Sequence, residues 1–100
     1  MSHRSQDWNE NLAKDLRDPE FAREFLLGLL EEGFSVQEAL SKTIRAYGVN
    51  EFAKKARMAS SNVCRAIRKN FNPSQQTLER LLKPLGLRLF AAPKKSRIAA

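Results

Sequence analysis

The stretch from Phe52 to Ile67, FAKKARMASSNVCRAI, decides how the rest of the chain is read. At helical period it places Phe52, Ala53 and Ala56 on one short apolar face, Met58 alone, and Val63 and Ile67, four apart, on a second face. That spacing predicts two brief helices meeting at a tight corner. Ala53 is small enough for close helix approach, Met58 is a candidate plug between the helices, and Val63 and Ile67 form the inner side of the second helix. This second helix is expected to run from about Ser60 to Lys69, with Ser60, Ser61, Asn62, Arg65, Arg68 and Lys69 pointing outward. A small, donor-rich, cationic outer face suits the major groove of DNA. There Asn and Arg make paired hydrogen bonds to base edges, and Ser reaches bases or phosphates. The same spacing also suits any two short amphipathic helices of a small bundle, so the remainder of the chain has to decide.

The corner resembles the helix-turn-helix of phage-repressor-like (XRE-type) DNA-binding domains, in which a scaffold helix, a turn and a recognition helix follow at this spacing. Many members carry Gly in the turn, where this chain has Arg57, and a Ser cap where it has Ala59. The cap is therefore expected to move to Ser60. Ser60, Ser61, Asn62 and Arg65 become candidate base contacts. Lys54, Lys55, Arg68 and Lys69 become candidate phosphate contacts, against the plainer reading that such charges only solvate a face.

One hundred residues with 42% hydrophobic side chains suffice for one domain with one modest core. No apolar run approaches the roughly 20 residues of a membrane span. The opening MSHRSQDWNENLAK lacks the apolar core of a secretory signal, so a cytoplasmic protein is expected. A single cysteine, Cys64, allows no intrachain disulfide, and one Cys with one His, His3, draws no metal cluster. No cofactor is expected. The net charge of +7 is unevenly spread. Residues 1–40 hold four Lys/Arg and nine Asp/Glu, or −5, whereas residues 41–100 hold fourteen and two, or +12. The basic part is an electrostatic footprint for nucleic acid, and the acidic part suits a basic protein or simple solubility.

Along the chain, Asp7 with Glu10 starts a short first helix whose thin stripe is Trp8, Leu12 and Leu16. Asp18-Pro19-Glu20 is a stronger start, with cap, first-turn proline and a carboxylate at the positive end of the helix dipole. The helix that follows reaches about Glu32, carries Phe21, Ala22, Phe25, Leu26, Leu29 and Leu30, and stops at Gly33. Ser35 and Glu38 form a capping box for a helix with the stripe Val36, Ala39, Leu40, Thr43, Ile44 and Tyr47, ending at Gly48. Asn50 is a candidate cap for the scaffold helix. Asn72-Pro73 is expected to open the last helix, with Gln75 at the reciprocal capping position, Leu78, Leu81, Leu82 and Leu85 inward, and Pro84 truncating it before Gly86. From Leu87 to Ala92 the period changes to two, which reads as one short strand. Such a strand pairs within the fold, with a second copy, or with another chain. Lys94 to Ala100, KKSRIAA, reads as a flexible basic tail.

With the helices placed, the runs LRDPEFAREFLLGLLEEG and NPSQQTLERLLKPLGLRL on either side of the corner resemble the antidote proteins of type II toxin–antitoxin modules, in the HigA-like, helix-turn-helix group. The likeness covers about residues 7 to 92, and DPEFA and LGLRL are its most specific pieces. It implies an all-α, five-helix phage-repressor-like domain over 18–92, with a short extra helix in an arm over 1–17, one short C-terminal strand, and a tail over 93–100. It also implies a non-enzymatic protein that binds a small basic toxin of the RelE/HigB-like kind and represses its own operon by binding double-stranded operator DNA. A helix-turn-helix regulator without a toxin would share every DNA-binding residue.

Trp8, Leu12 and Leu16 are then candidate toxin contacts. Leu85, Leu87 and Leu89 are candidate contacts of a homodimer, because one recognition helix reads too few base pairs to bind tightly alone. Catalysis would need a positioned base beside a nucleophile or a metal, and the only His is His3. Cys64 precedes Arg65 and Arg68 near a helix start, a setting expected to make a thiol reactive, although a lone thiol on a helix is more often a small packing residue.

Overall fold

The computed structural model describes residues 11–91, and the chain over this range is all-helical. Residues 11–16 are helical and are labelled α1. There follow α2 (Pro19–Glu31), α3 (Val36–Tyr47), α4 (Val49–Ala56), α5 (Ser60–Ala66), α6 (Gln75–Leu82) and a single 3-10 turn, Lys83–Leu85.

The helices of the first half form where local chemistry dictates. The Asp18 carboxylate accepts from the Glu20 amide at 3.0 Å, and Pro19 occupies the first turn, where its missing N–H leaves nothing unpaired. At the other end of α2 the Gly33 amide donates to Leu30 O and the Phe34 amide to Leu29 O, the two bonds of a Schellman motif, with Gly33 at φ 103°. Ser35 and Glu38 exchange both bonds of a capping box, each 3.1 Å.

The second half departs from expectation at three helix starts. Gly48 both ends α3 and precedes α4, so Asn50 lies inside the first turn and caps nothing. Ala59, not Ser60, is the residue before α5, and no side chain caps that helix. The last helix begins at Gln75 rather than Asn72-Pro73. Ser74, whose Oγ accepts from the Thr77 amide at 3.2 Å, is the residue with a hydroxyl in the right place, while Pro73 is buried. Pro84 does end the α-helix, and the chain tightens into the 3-10 turn before Gly86 at φ 73°.

One core joins all six helices. Leu16, Leu26, Leu40, Ile44, Phe52, Val63, Ile67, Leu81, Leu82 and Leu85 are at most 3% exposed. Phe52 meets Tyr47 edge to face, with ring centroids 5.4 Å apart, which locks α4 onto α3. Leu16 is 0% exposed, which corrects its reading as part of a toxin-facing stripe: it fills the core, and Leu12 packs half-buried beside it. Trp8 lies outside the described residues.

The expected strand does not form among the described residues. Residues 87–91 lack regular structure, although their alternation survives: Leu87 and Leu89 lean half-buried on the domain's own core, and Arg88 and Phe90 are exposed. The edge is held by the Leu87 amide on Leu82 O at 3.2 Å and by the Leu89 amide on a Glu79 carboxylate oxygen at 3.1 Å. Ala92 and the tail over 93–100 lie outside the described residues.

Candidate nucleic-acid interface

The corner is built from a helix end that lacks the residue best suited to it. After α4 the chain reverses through Arg57, whose φ of 58° and ψ of 46° are left-handed, the only non-glycine residue with positive φ among the described residues. The reversal is closed by the Met58 amide on Ala53 O at 3.0 Å. The Arg57 carbonyl accepts from Arg80 Nη2 at 3.3 Å, so α6 steadies the turn from outside. Met58 is half-buried against the core.

From Ala59 the chain enters α5 with the Asn62 and Val63 amides on Ala59 O. Val63, Ala66 and Ile67 are buried, whereas Ser60, Ser61, Asn62 and Arg65 are all exposed, and the side that bears them is free of carboxylates. Cys64 is exposed too, a correction to its reading as a packing residue. The helix stops at Ala66, three residues short of Lys69, so Arg68 and Lys69 ride on the following turn.

Two side chains of α3 take up the carbonyls at that end. Gln37 Nε2 donates to Ala66 O at 3.0 Å and to Arg68 O at 2.9 Å, and Ser41 Oγ donates to Ile67 O at 3.1 Å. These carbonyls would otherwise be orphans of a helix end. The clamp fixes where the C-terminus of α5 points, and no spacing rule applied to residues 52–67 reveals it, because the donors lie some 30 positions earlier.

The candidate phosphate contacts Lys54, Lys55, Arg68 and Lys69 are all exposed. The structure adds two cations that sequence reading passed over. Lys42 and Arg45 of α3 share a cleft of about 350 Å³ with Lys69, Ser41, Phe34 and the carboxylate Glu38. Arg45 Nε donates to Ser41 Oγ at 3.1 Å, and Lys42 Nζ stands 4.9 Å from the centre of the Phe34 ring. Their signal was the polar side of α3, one turn from its C-terminus, facing away from the stripe. Among the described residues no group of three or more His, Cys, Asp or Glu is placed to hold a metal.

The proposed dimer contacts fare differently. Leu85 is 2% exposed within its own chain and belongs to the core, which corrects its assignment, and Leu87 and Leu89 spend part of their surface on the same core. Of this segment Phe90 is left most outward, 81% exposed, and lines a shallow hollow together with the exposed Leu27. No family model matches the chain, and no curated protein or solved structure is significantly similar to it. Among the described residues no helix is long and apolar enough to cross a membrane.

Proposed function

We propose that this protein is the antitoxin of a type II toxin–antitoxin module, a cytoplasmic, non-enzymatic dimer that reads operator DNA with α5 and neutralises a small basic RelE/HigB-like toxin by direct binding. The observation that carries the DNA half is the exposed row Ser60, Ser61, Asn62 and Arg65 on a helix backed by buried Val63, Ala66 and Ile67. Asn62 offers paired bonds to adenine and Arg65 to guanine. Lys54, Lys55, Arg68 and Lys69 supply the phosphate contacts that set register without sequence preference.

Seven residues of helix span few base pairs. A second copy on a palindromic half-site about 34 Å away supplies the missing affinity and length. Phe90 and the outer edges of Leu87 and Leu89 are the apolar surface from which such a contact can be made.

The toxin half rests on the resemblance of DPEFA and LGLRL and on the −5 of residues 1–40. With Leu16 in the core, its surface reduces to Trp8, the outer side of Leu12, and Phe21, 39% exposed at the start of α2. The same burial favours the second reading, a helix-turn-helix regulator without a toxin, because it removes part of the stripe assigned to that partner. Co-expression with the product of the adjacent reading frame, followed by co-purification and a growth test, separates the two. A neighbour that neither co-purifies nor arrests growth alone ends the antitoxin reading. Base readout is tested by Asn62→Ala, expected to relax preference at one operator position by about 1–3 kcal/mol. An unaltered binding profile across single-base variants removes Asn62 from that role.

A further inference from the structure

We propose that the cleft between the helix-turn-helix corner and α6 is a further phosphate site of the DNA interface, taking the duplex backbone beside the groove that α5 enters. It rests on the reading of α5 as the DNA-facing helix and extends the footprint from Lys55, which that reading already uses, to Arg57, Arg80 and Lys83. The cleft measures about 360 Å³ and is lined by Lys55, Ala56, Arg57, Arg80, Lys83 and Pro84. Four of its six residues are cationic and none is acidic. Like charges gathered around one hollow repel each other, so this grouping works against the isolated fold and is relieved when an anion enters.

Backbone geometry gives an independent reason. Four positions among the described residues take positive φ, and three of them, Gly33, Gly48 and Gly86, are glycines. Glycine adopts that conformation without the clash a Cβ brings. Among the described residues only the corner places a side chain in this strained position, and that residue is Arg57, on the wall of the cleft.

A third observation concerns Arg80. Its Nη2 donates to the Arg57 carbonyl at 3.3 Å, which ties one donor to the corner and holds the guanidinium at the cleft instead of leaving it free in solvent. A phosphodiester presents several acceptor oxygens and one negative charge, which matches the forked donors of two arginines flanked by two ammonium groups. Arg57 lies three residues before Ser60, the first residue of α5, so the site sits where the chain turns into the reading helix. The phosphate backbone borders the groove at that point, and this continuity favours DNA over an acidic protein as the occupant.

The test is the salt dependence of binding to the duplex upstream of the protein's own reading frame and to an unrelated duplex, for wild type, Arg57→Gly and Lys83→Gln. Each variant is expected to lower the slope of log K against log salt by about one unit and to weaken both duplexes alike, roughly three- to tenfold at moderate salt. Arg57→Gly is also expected to melt no lower than wild type, since glycine relieves the left-handed strain, so weaker binding there cannot be traced to unfolding. Slopes that stay at the wild-type value while wild type binds DNA overturn this site and leave the reading of α5 intact. A wild type that binds neither duplex overturns both. Polyglutamate binding that is lost in the variants while their DNA slopes are unmoved assigns the cleft to an acidic protein and also overturns the proposal.

Discussion

The α2–α3 hairpin and the α4–α5 corner are both pairs of helices joined by a short turn, and they are held by different means. In the hairpin every end is secured by its own neighbours: Asp18 caps α2, Gly33 closes it, and Ser35 with Glu38 opens α3. At the corner neither α4 nor α5 has a side-chain cap, and the turn passes through an arginine in a left-handed conformation. Its helices have eight and seven residues, below the length at which an isolated helix is stable in water. What holds them is reach from elsewhere: Gln37 and Ser41 from α3, Arg80 from α6, and the core under Phe52, Val63 and Ile67. The hairpin is therefore a scaffold that would keep its local form, and the corner is a shape imposed by that scaffold.

If this contrast holds, damage to the scaffold reaches the corner. The largest effect is expected from Leu16→Ala, which empties a 0% exposed site in the core and should cost about 2–5 kcal/mol of unfolding free energy. Urea titration followed by circular dichroism gives the value. A loss under 1 kcal/mol would mean that α1 is not anchored as its burial indicates. Removing residues 1–17 should accordingly destabilise the domain, whereas an arm that served only a toxin could be cut away without effect on the fold.

Next in size is Gln37→Leu. It deletes both bonds to the end of α5 and frees the Ala66 and Arg68 carbonyls, for an expected loss of about 1–3 kcal/mol. Amide hydrogen exchange should speed up around Ile67 to Phe71 and stay unchanged in α2. Acceleration spread evenly through both regions would instead point to simple global destabilisation.

The same contrast explains what could be read from sequence. Where an end is secured by neighbours, the letters carry it: DPE, GFSVQE and the stripe of α3 each fix an element to within a residue. Where an end is secured from a distance, as at the corner, they do not: Asn50 is a good cap by type, yet Gly48 is the residue in place. At α6 the cap is local but two candidates compete, and Ser74 rather than Asn72 is the one in place. Ser60 lost the capping position because Ala59 already stands in the extended conformation the cap needs. The outward row of α5 was legible from the spacing of Val63 and Ile67. Leu85 reads both as inward and as a dimer contact and Leu16 as a partner contact, and the core takes both: apolar periodicity cannot say whether a stripe meets the chain's own core or a partner. The basic clefts were not legible, because a cleft is a relation between elements far apart in sequence.

The scaffold carries one flaw of its own. Thr43 is 0% exposed in the middle of α3, and its hydroxyl has no hydrogen-bond partner. Thr43→Val replaces that hydroxyl by a methyl of similar shape and should stabilise the fold by about 1 kcal/mol, since an unsatisfied buried hydroxyl carries a penalty of roughly 1–3 kcal/mol. Thermal melting of the variant measures it. A lower melting temperature would show that the hydroxyl finds a partner after all.

The smallest effect concerns the missing cap of α5. Ala59 already has the extended backbone of a cap, at φ −65° and ψ 139°, and its carbonyl accepts from the Asn62 and Val63 amides, so only the side-chain oxygen is lacking. Ala59→Ser places a hydroxyl where the Ser61 or Asn62 amide, at the second and third helical positions, can donate to it. The gain should be about 0.5–1 kcal/mol, the reverse of what removing a serine cap costs. If the corner were as locally determined as the hairpin, this gain would equal the loss from Ser35→Ala. Because α5 is held from α3 instead, the cap acts on a helix already fixed at its far end, and part of its benefit should appear as slower exchange of the first-turn amides. Comparing Ala59→Ser in wild type with Ala59→Ser in Gln37→Leu separates the two contributions. The cap should stabilise more once the clamp is gone, and equal gains in both backgrounds would mean that the ends of α5 are energetically independent.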